Sequence, residues 1–203
     1  MKLKVGIIGG SGYTGIELLR ILHQHPSAEV HAITSRALEG KKLSEVFPNM
    51  HGISNLSYLL PDDEKLFECD LVFFATPHGV AMNNASLFLD KDIKVIDLGA
   101  DFRINNAEIW SNWYNMEHTQ KSLLSEAVYG QPEINRSSIK DARLIANPGC
   151  YPTAVLLALK PLLEENLIDP LNIIADCKSG ASGARSEEHT SELQSPCNLV
   201  CRL

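Results

Sequence analysis

Apolar residues fall along this chain in two alternating rhythms. Short apolar runs rich in β-branched residues at 4–8, 29–34, 70–75, 93–97 and 143–146 read as strands. Between them, the stretches 14–24, 62–68, 79–90 and 153–165 are compatible with helix, the first through Ile16, Leu18, Leu19, Ile21 and Leu22. Regular alternation of this kind predicts an α/β, doubly wound, mainly parallel sheet that receives ligands at the carboxyl ends of its strands. Glycine-rich and polar clusters lie at those ends: Gly9 to Gly15, Thr34 to Arg36, Thr76-Pro77-His78-Gly79, Gly99 to Arg103, and Asn147 to Cys150. The stretch 104–142 has a polar loop character around Trp110, Trp113 and Tyr114, and the pattern assigns it no elements. No internal repeat is visible.

Composition narrows the class. With 203 residues, 44% of them apolar, the chain is large enough for one domain core and part of another. A net charge of −7 argues against nucleic acid or an anionic membrane surface as the main partner. No apolar run approaches the ~18 residues that span a bilayer. Met-Lys-Leu-Lys leads into the first strand without a secretory pattern. The five cysteines (69, 150, 177, 197, 201) form neither a disulfide framework nor paired Cys-x-x-Cys metal spacing. A reducing, cytoplasmic setting without a metal is the expectation.

Lys-Val-Gly-Ile-Ile-Gly-Gly-Ser-Gly-Tyr-Thr-Gly at 4–15 joins a strand to a helix through a glycine cluster. It reads as Gly10-x-Gly12-x-x-Gly15 or Gly9-x-x-Gly12-x-x-Gly15, the context of a Rossmann dinucleotide-binding fingerprint. Glycine lets the backbone approach a pyrophosphate, whose charge the helix N-terminus stabilises. The strand at 29–34 ends in Thr34-Ser35-Arg36, with Lys41 and Lys42 close behind, where an NAD site would place an acid for the ribose 2′-hydroxyl. Ser35 and Arg36 suit a 2′-phosphate, so NADP(H) is the expected cofactor; a solvated loop with scattered bases is the plain alternative.

Cys150 closes the run Ile-Ala-Asn-Pro-Gly-Cys and opens a helix-compatible stretch. At a helix start, unpaired N–H groups and the positive end of the helix dipole favour thiolate, the nucleophilic form. A small buried core cysteine is the alternative. Arg103, at a strand end, is a candidate for holding a carboxylate or phosphate bidentately, or else a structural ion pair. His78 is a candidate cofactor or substrate contact, although turn formation by Pro77 and Gly79 accounts for its segment nearly as well. The other histidines named by the pattern, His118 among them, read as surface or satisfied, and Cys69 and Cys177 as core.

Gly-Gly-Ser-Gly-Tyr-Thr-Gly, Thr-Pro-His-Gly, Asp-Leu-Gly-Ala-Asp-Phe-Arg, Tyr-Gly-Gln-Pro-Glu and Asn-Pro-Gly-Cys-Tyr-Pro-Thr-Ala occur here in one order. In that order they resemble the N-acetyl-gamma-glutamyl-phosphate reductases, from Lys4 to about Ala184. Aspartate-semialdehyde dehydrogenases share the cysteine chemistry but surround the nucleophile differently. The resemblance implies an NADP-binding Rossmann domain at 1–148 and the beginning of an α+β catalytic and substrate domain at 149–184. It implies cofactor contacts from Gly9, Gly10, Ser11, Gly12, Tyr13, Thr14, Gly15, Ser35, Arg36, Thr76, Pro77, Ser182 and Gly183. Arg103, Asn147 and His78 would meet substrate, and Cys150 would be the catalytic nucleophile. The implied reaction is NADPH-dependent reduction of N-acetylglutamyl 5-phosphate in arginine biosynthesis, by an enzyme that is a homo-oligomer when complete. An aminoadipyl or aspartyl acyl phosphate is the competing substrate, and a silent NADP-binding module with a structural Cys150 the competing function.

After Ser179-Gly180-Ala181-Ser182-Gly183-Ala184 the family pattern of Gly-Arg-Lys is replaced by Arg185-Ser186-Glu187. Residues 185–203 read as a non-native tail, which would leave the catalytic domain without its histidine and the strand near Asn172 without neighbours. A chain of that kind is expected to turn over poorly or not at all.

Overall fold

The computed structural model describes residues 2–180. Its chain divides into two units, Met1–Pro148 and Gly149–Leu203. In the first unit six strands form one parallel sheet in the order β2-β1-β3-β4-β6-β5. The strands are β1 (Leu3–Ile8), β2 (Ala28–Ile33), β3 (Leu71–Phe74), β4 (Lys94–Asp97), β5 (Val128–Tyr129) and β6 (Leu144–Ala146). The chain steps from β1 outward to β2, then returns past β1 to β3, so the order reverses between β1 and β3. That reversal opens the crevice where doubly wound sheets bind ligands.

Strand alternation builds a core on each face of the sheet. Val5 and Ile7 of β1 pack with Leu19 and Leu22 of α1 (Tyr13–His23), and with Leu43, Met50 and Tyr58. Ile8, Val72, Phe74 and Val95 face the other way, onto Ala81, Met82, Ala85 and Phe88 of α3 (Val80–Leu89). α2 (Leu43–Val46) adds Leu43 and Val46 to the first of these cores.

The stretch 104–142 is not the loop its polar composition predicts. It holds α4 (Ala107–Tyr114), α5 (Lys121–Glu126), β5 and α6 (Pro132–Asp141). These elements are short and mostly solvated, so few apolar positions register a period; β5 has only two residues. Trp110 is fully buried, whereas Trp113 is 77% exposed.

In the second unit α7 (Cys150–Glu164) begins three residues earlier than the apolar period suggests. Pro152 explains the offset, because proline is tolerated in the first helical turn while weakening any sequence-based helix start. No residue of α7 is buried. The strand expected near Asn172 does not form. Asp169 instead closes a turn, accepting from the Leu171 N–H at 2.9 Å, and Leu171 and Ile174 stand 89% and 88% exposed. A strand gains little without a neighbour to pair with, and none is present among the described residues. No helix among the described residues is long and apolar enough to cross a membrane.

Candidate active site

The glycine loop between β1 and α1 is forced into shape by close packing. Gly9 has φ +81°, and a Cβ there would stand 2.6 Å from the Ala75 carbonyl oxygen and 2.7 Å from Thr76 Cγ2. A Cβ on Gly15 would meet the Gly10 Cα at 2.5 Å. Gly12, the N-cap of α1, is different: a Cβ there meets nothing within 4 Å. No side chain caps α1 and no acid occupies its first turn, so an arriving anion meets an uncontested helix N-terminus. Tyr13 and Thr14, on that first turn, are exposed. Across the crevice, Thr76 Oγ1 is buried with no hydrogen-bond partner among the described residues. An open cradle on one wall and an orphaned hydroxyl on the other fit a dinucleotide.

The end of β2 closes the same loop from the side. Thr34 holds it twice, its carbonyl accepting from the Gly10 N–H at 2.9 Å and its hydroxyl from the Gly9 N–H at 3.3 Å. Ser35 donates from Oγ to Ser11 Oγ at 3.1 Å and is buried, while Arg36 is exposed. Residues 56–59 run beside this strand end, and Tyr58, 1% exposed, donates its phenol hydroxyl to the Gly10 carbonyl at 3.3 Å.

Beyond β3, Pro77 is exposed and His78 packs its ring against Tyr114 with centroids 5.0 Å apart. Their turn is held from beneath by Asp101, whose carboxylate accepts from the Gly79 N–H (2.9 and 3.0 Å) and the Met82 N–H (2.9 Å). Asp101 thereby caps α3 from a different segment of chain, filling the role Gly79 has no side chain for. Its own loop is fixed by three buried groups. The Trp110 indole donates to the Ala100 carbonyl at 2.8 Å. His118 Nδ1 accepts from the Gln120 N–H at 3.2 Å, so Nε2 is the donor to the Asp101 carbonyl at 2.8 Å. Asp97, fully buried, accepts from the N–H groups of Gly99 (2.8 Å) and Asp101 (3.1 Å). Burial pushes the Asp97 carboxyl up to about 7, and the Asp101 charge adds to the effect. The Gly99 and Asp101 N–H groups and Arg103 oppose it.

Arg103 extends this loop toward β6. Its Nε donates to the Asn147 carbonyl at 2.7 Å and its Nη2 to the Leu98 carbonyl at 2.9 Å. Arg103 and Asn147 are therefore brought together. The contact is a guanidinium bracing the backbone just upstream of Pro148-Gly149-Cys150, and no acid pairs with Arg103 among the described residues.

In the second unit Cys150 is the first residue of α7 and is exposed, not the small core cysteine of the alternative reading. Gly149 is the N-cap and provides no side chain, and the first turn holds no acid. The first helical bond runs from the Thr153 N–H to the Gly149 carbonyl at 3.0 Å, and Pro152 has no N–H. The Cys150 and Tyr151 N–H groups thus precede the first bonded turn. Cys69 is buried as expected, with burial pushing its thiol up to about 11; Cys177 is only half-buried. Ser182, Gly183 and the proposed tail from Arg185 lie outside the described residues.

Sequence reasoning missed Tyr58, Asp97, the capping role of Asp101 and the supporting roles of Trp110 and His118. The acids carried a signal: two carboxylates at 97 and 101 flank an apolar strand end, where an unpaired charge is costly. Tyr58 carried none, since one tyrosine in a loop predicts no partner.

Comparison with known proteins comes to the same region of fold space. Residues 4–142 match the family model described as semialdehyde dehydrogenase, NAD binding domain, and residues 150–201 the one described as semialdehyde dehydrogenase, dimerisation domain. The chain is 62% identical over 182 residues to an N-acetyl-gamma-glutamyl-phosphate reductase of Vesicomyosocius okutanii, covering 90% of this chain and 54% of that protein. It is 57% identical over 183 residues to a protein of the same description from Pseudomonas aeruginosa, covering 90% and 53%. The chain spans about half the length of the curated relatives it matches. In fold it is similar to aspartate semialdehyde dehydrogenase II complexed with ASA from Vibrio cholerae (TM-score 0.62, 19% identity, 81% of this chain and 47% of that one). It is also similar to aspartate semialdehyde dehydrogenase with NADP from Candida albicans (TM-score 0.54, 19% identity, 86% and 49%).

Proposed function

The chain belongs to the semialdehyde dehydrogenase family, and from that membership we propose that it serves the NADPH-dependent reduction of N-acetylglutamyl 5-phosphate to the semialdehyde and phosphate. The observation that carries the reading is an exposed Cys150 at the uncapped N-terminus of α7. The Cys150 thiolate attacks the acyl carbonyl, the acyl–oxygen bond breaks, and phosphate leaves with its electron pair, giving a thioester. When bound, NADPH supplies a hydride to that thioester carbonyl. Collapse of the tetrahedral centre returns the electron pair to sulfur and releases the aldehyde. The Cys150 and Tyr151 N–H groups are suited to the oxyanion at each tetrahedral stage.

The crevice beside β1 takes the cofactor, with Gly12 and the start of α1 at its pyrophosphate and Ser35 and Arg36 at its 2′-phosphate. Thr76 and Pro77 line the opposite wall, Asn147 and His78 meet the substrate, and Arg103 braces the Asn147 main chain. The setting is cytoplasmic, and the second family match supports a homo-oligomer.

The test is intact-mass and peptide mass spectrometry of the 203-residue chain incubated with N-acetylglutamyl phosphate without cofactor. One acyl adduct on Cys150, removed by hydroxylamine and absent in Cys150→Ala, is the expected outcome. An adduct spread over Cys69 and Cys177, or none, overturns the assignment.

A further inference from the structure

The loop between β1 and α1 is Gly9-Gly10-Ser11-Gly12, with almost no side chain of its own, so its shape is set from behind. Tyr58 stands directly behind it, 1% exposed among Leu43, Met50 and Ile33. In such surroundings a phenylalanine would be buried more cheaply, because a buried hydroxyl costs free energy unless it is bonded. The partner of the Tyr58 hydroxyl is the Gly10 carbonyl at 3.3 Å. Burial pushes the phenol up to about 12, so it remains a donor across the working pH range.

That bond has a directional consequence. In a trans peptide the carbonyl of one residue and the N–H of the next point in opposite directions. Turning the Gly10 carbonyl inward onto Tyr58 therefore turns the Ser11 N–H outward, toward the mouth of the crevice. The main chain of the same residue holds the neighbouring basic loop. Its carbonyl accepts from the Gly40 N–H at 2.8 Å, and its N–H donates to the Lys41 carbonyl at 3.0 Å. Next to it, Leu59 is bonded on both sides to the end of β2, donating to Ile33 and accepting from Ser35. One residue thus ties together the pyrophosphate loop and the segment that carries Arg36, Lys41 and Lys42.

We propose that Tyr58 is a positioning residue for the nucleotide cofactor, its buried hydroxyl orienting the Gly10–Ser11 peptide so that the Ser11 N–H faces the pyrophosphate. The inference rests on the reading of this crevice as the NADPH site. Tyr58→Phe keeps the ring and the main-chain bonds and removes the hydroxyl alone. NADPH fluorescence titration should then give a Kd about 3- to 10-fold higher than that of the unaltered chain. NADH, which shares the pyrophosphate but not the 2′-phosphate, should weaken by the same factor, leaving the preference between the two unchanged. An unchanged Kd for Tyr58→Phe, with the unaltered chain binding normally, overturns the inference and leaves the cofactor reading standing. No NADPH binding by the unaltered chain overturns the cofactor reading instead.

A second measurement needs no variant. In the chain labelled with 3-fluorotyrosine, Tyr58 is the one fully buried tyrosine of five and is identified by its minimal solvent isotope shift. Its fluorine resonance should move on addition of NADPH, although its side chain does not reach the crevice; a static resonance refutes the coupling.

Discussion

Replacing Asp97 with asparagine should change how the stability of this protein responds to pH. Asp97 is fully buried at the end of β4, and its carboxyl lies near 7 in the fold against an ordinary 3.8. Because burial raises it, the protonated form is the one the fold prefers. Its contribution to stability is complete below about 3.8 and is lost as pH rises through about 7. At about 1.4 kcal/mol per decade, charging Asp97 costs the fold on the order of 4 kcal/mol in total, more than half of it between pH 5 and pH 8. Asparagine cannot charge. It also cannot accept through its NH2 end, so it loses one of the bonds from Gly99 or Asp101 and starts about 1 kcal/mol less stable at pH 5. Thermal unfolding followed by circular dichroism at pH 5 and pH 8 measures the comparison. The Tm of Asp97→Asn should begin below that of the parent and gain on it by roughly 5–10 °C over the range, at about 2–4 °C per kcal/mol. Groups remote from this loop contribute equally to both proteins and cancel in the difference. A Tm difference that stays flat, or moves against the variant, refutes the argument that Asp97 is charged at a cost.

Two further outcomes follow from the same loops. Asp101→Ala leaves the Gly79 and Met82 N–H groups buried without their acceptor and should lower stability by about 3 kcal/mol, read in urea unfolding; it should also flatten the Asp97 pH response by removing the neighbouring charge. Gly12→Ala should melt within about 2 °C of the parent yet bind NADPH at least about tenfold more weakly, whereas Gly15→Ala, whose Cβ meets the Gly10 backbone at 2.5 Å, should lose both stability and binding, so a Gly15→Ala variant with normal Tm would refute the packing reading.

Much of the fold was legible because its parallel strands are buried on both faces. Val-Gly-Ile-Ile in β1 and Leu-Val-Phe-Phe in β3 are unbroken apolar runs that no surface element tolerates, and each ends at a glycine or Thr-Pro turn. The segment 104–142 was illegible for the opposite reason. Six-residue α5 and kinked α6, with no buried residue, owe their shape to tertiary contacts rather than periodicity. The strand-turn-helix at the glycine loop and the helix that opens near Cys150 could be read because both depend on local chain geometry. The roles of Arg103 and Asp101 could not, since both act on backbone distant in sequence: Arg103 on Asn147, and Asp101 on Gly79 and Met82. A motif shows which residues recur together, not whether a side chain reaches a ligand or a neighbouring carbonyl.

The loops at the carboxyl end of this sheet share one plan. In each, glycine or main chain is held by a hydrogen bond to a buried polar side chain: Gly10 by Tyr58, Gly79 by Asp101, Gly99 by Asp97, Ala100 by Trp110. The arrangement follows from two demands that conflict in a single residue. A surface that must approach a pyrophosphate closely has no room for side chains, yet a loop without side chains cannot hold itself in one conformation against the entropy of its glycines. Separating the demands places the holding group one layer down, where low dielectric strengthens each hydrogen bond and makes its loss expensive. The two layers should therefore respond differently to substitution. Changes in the exposed layer should alter ligand affinity at nearly constant stability, while changes in the buried layer should alter both. Tyr58→Phe is the informative intermediate, since it removes a single holding bond and leaves the packing around it intact.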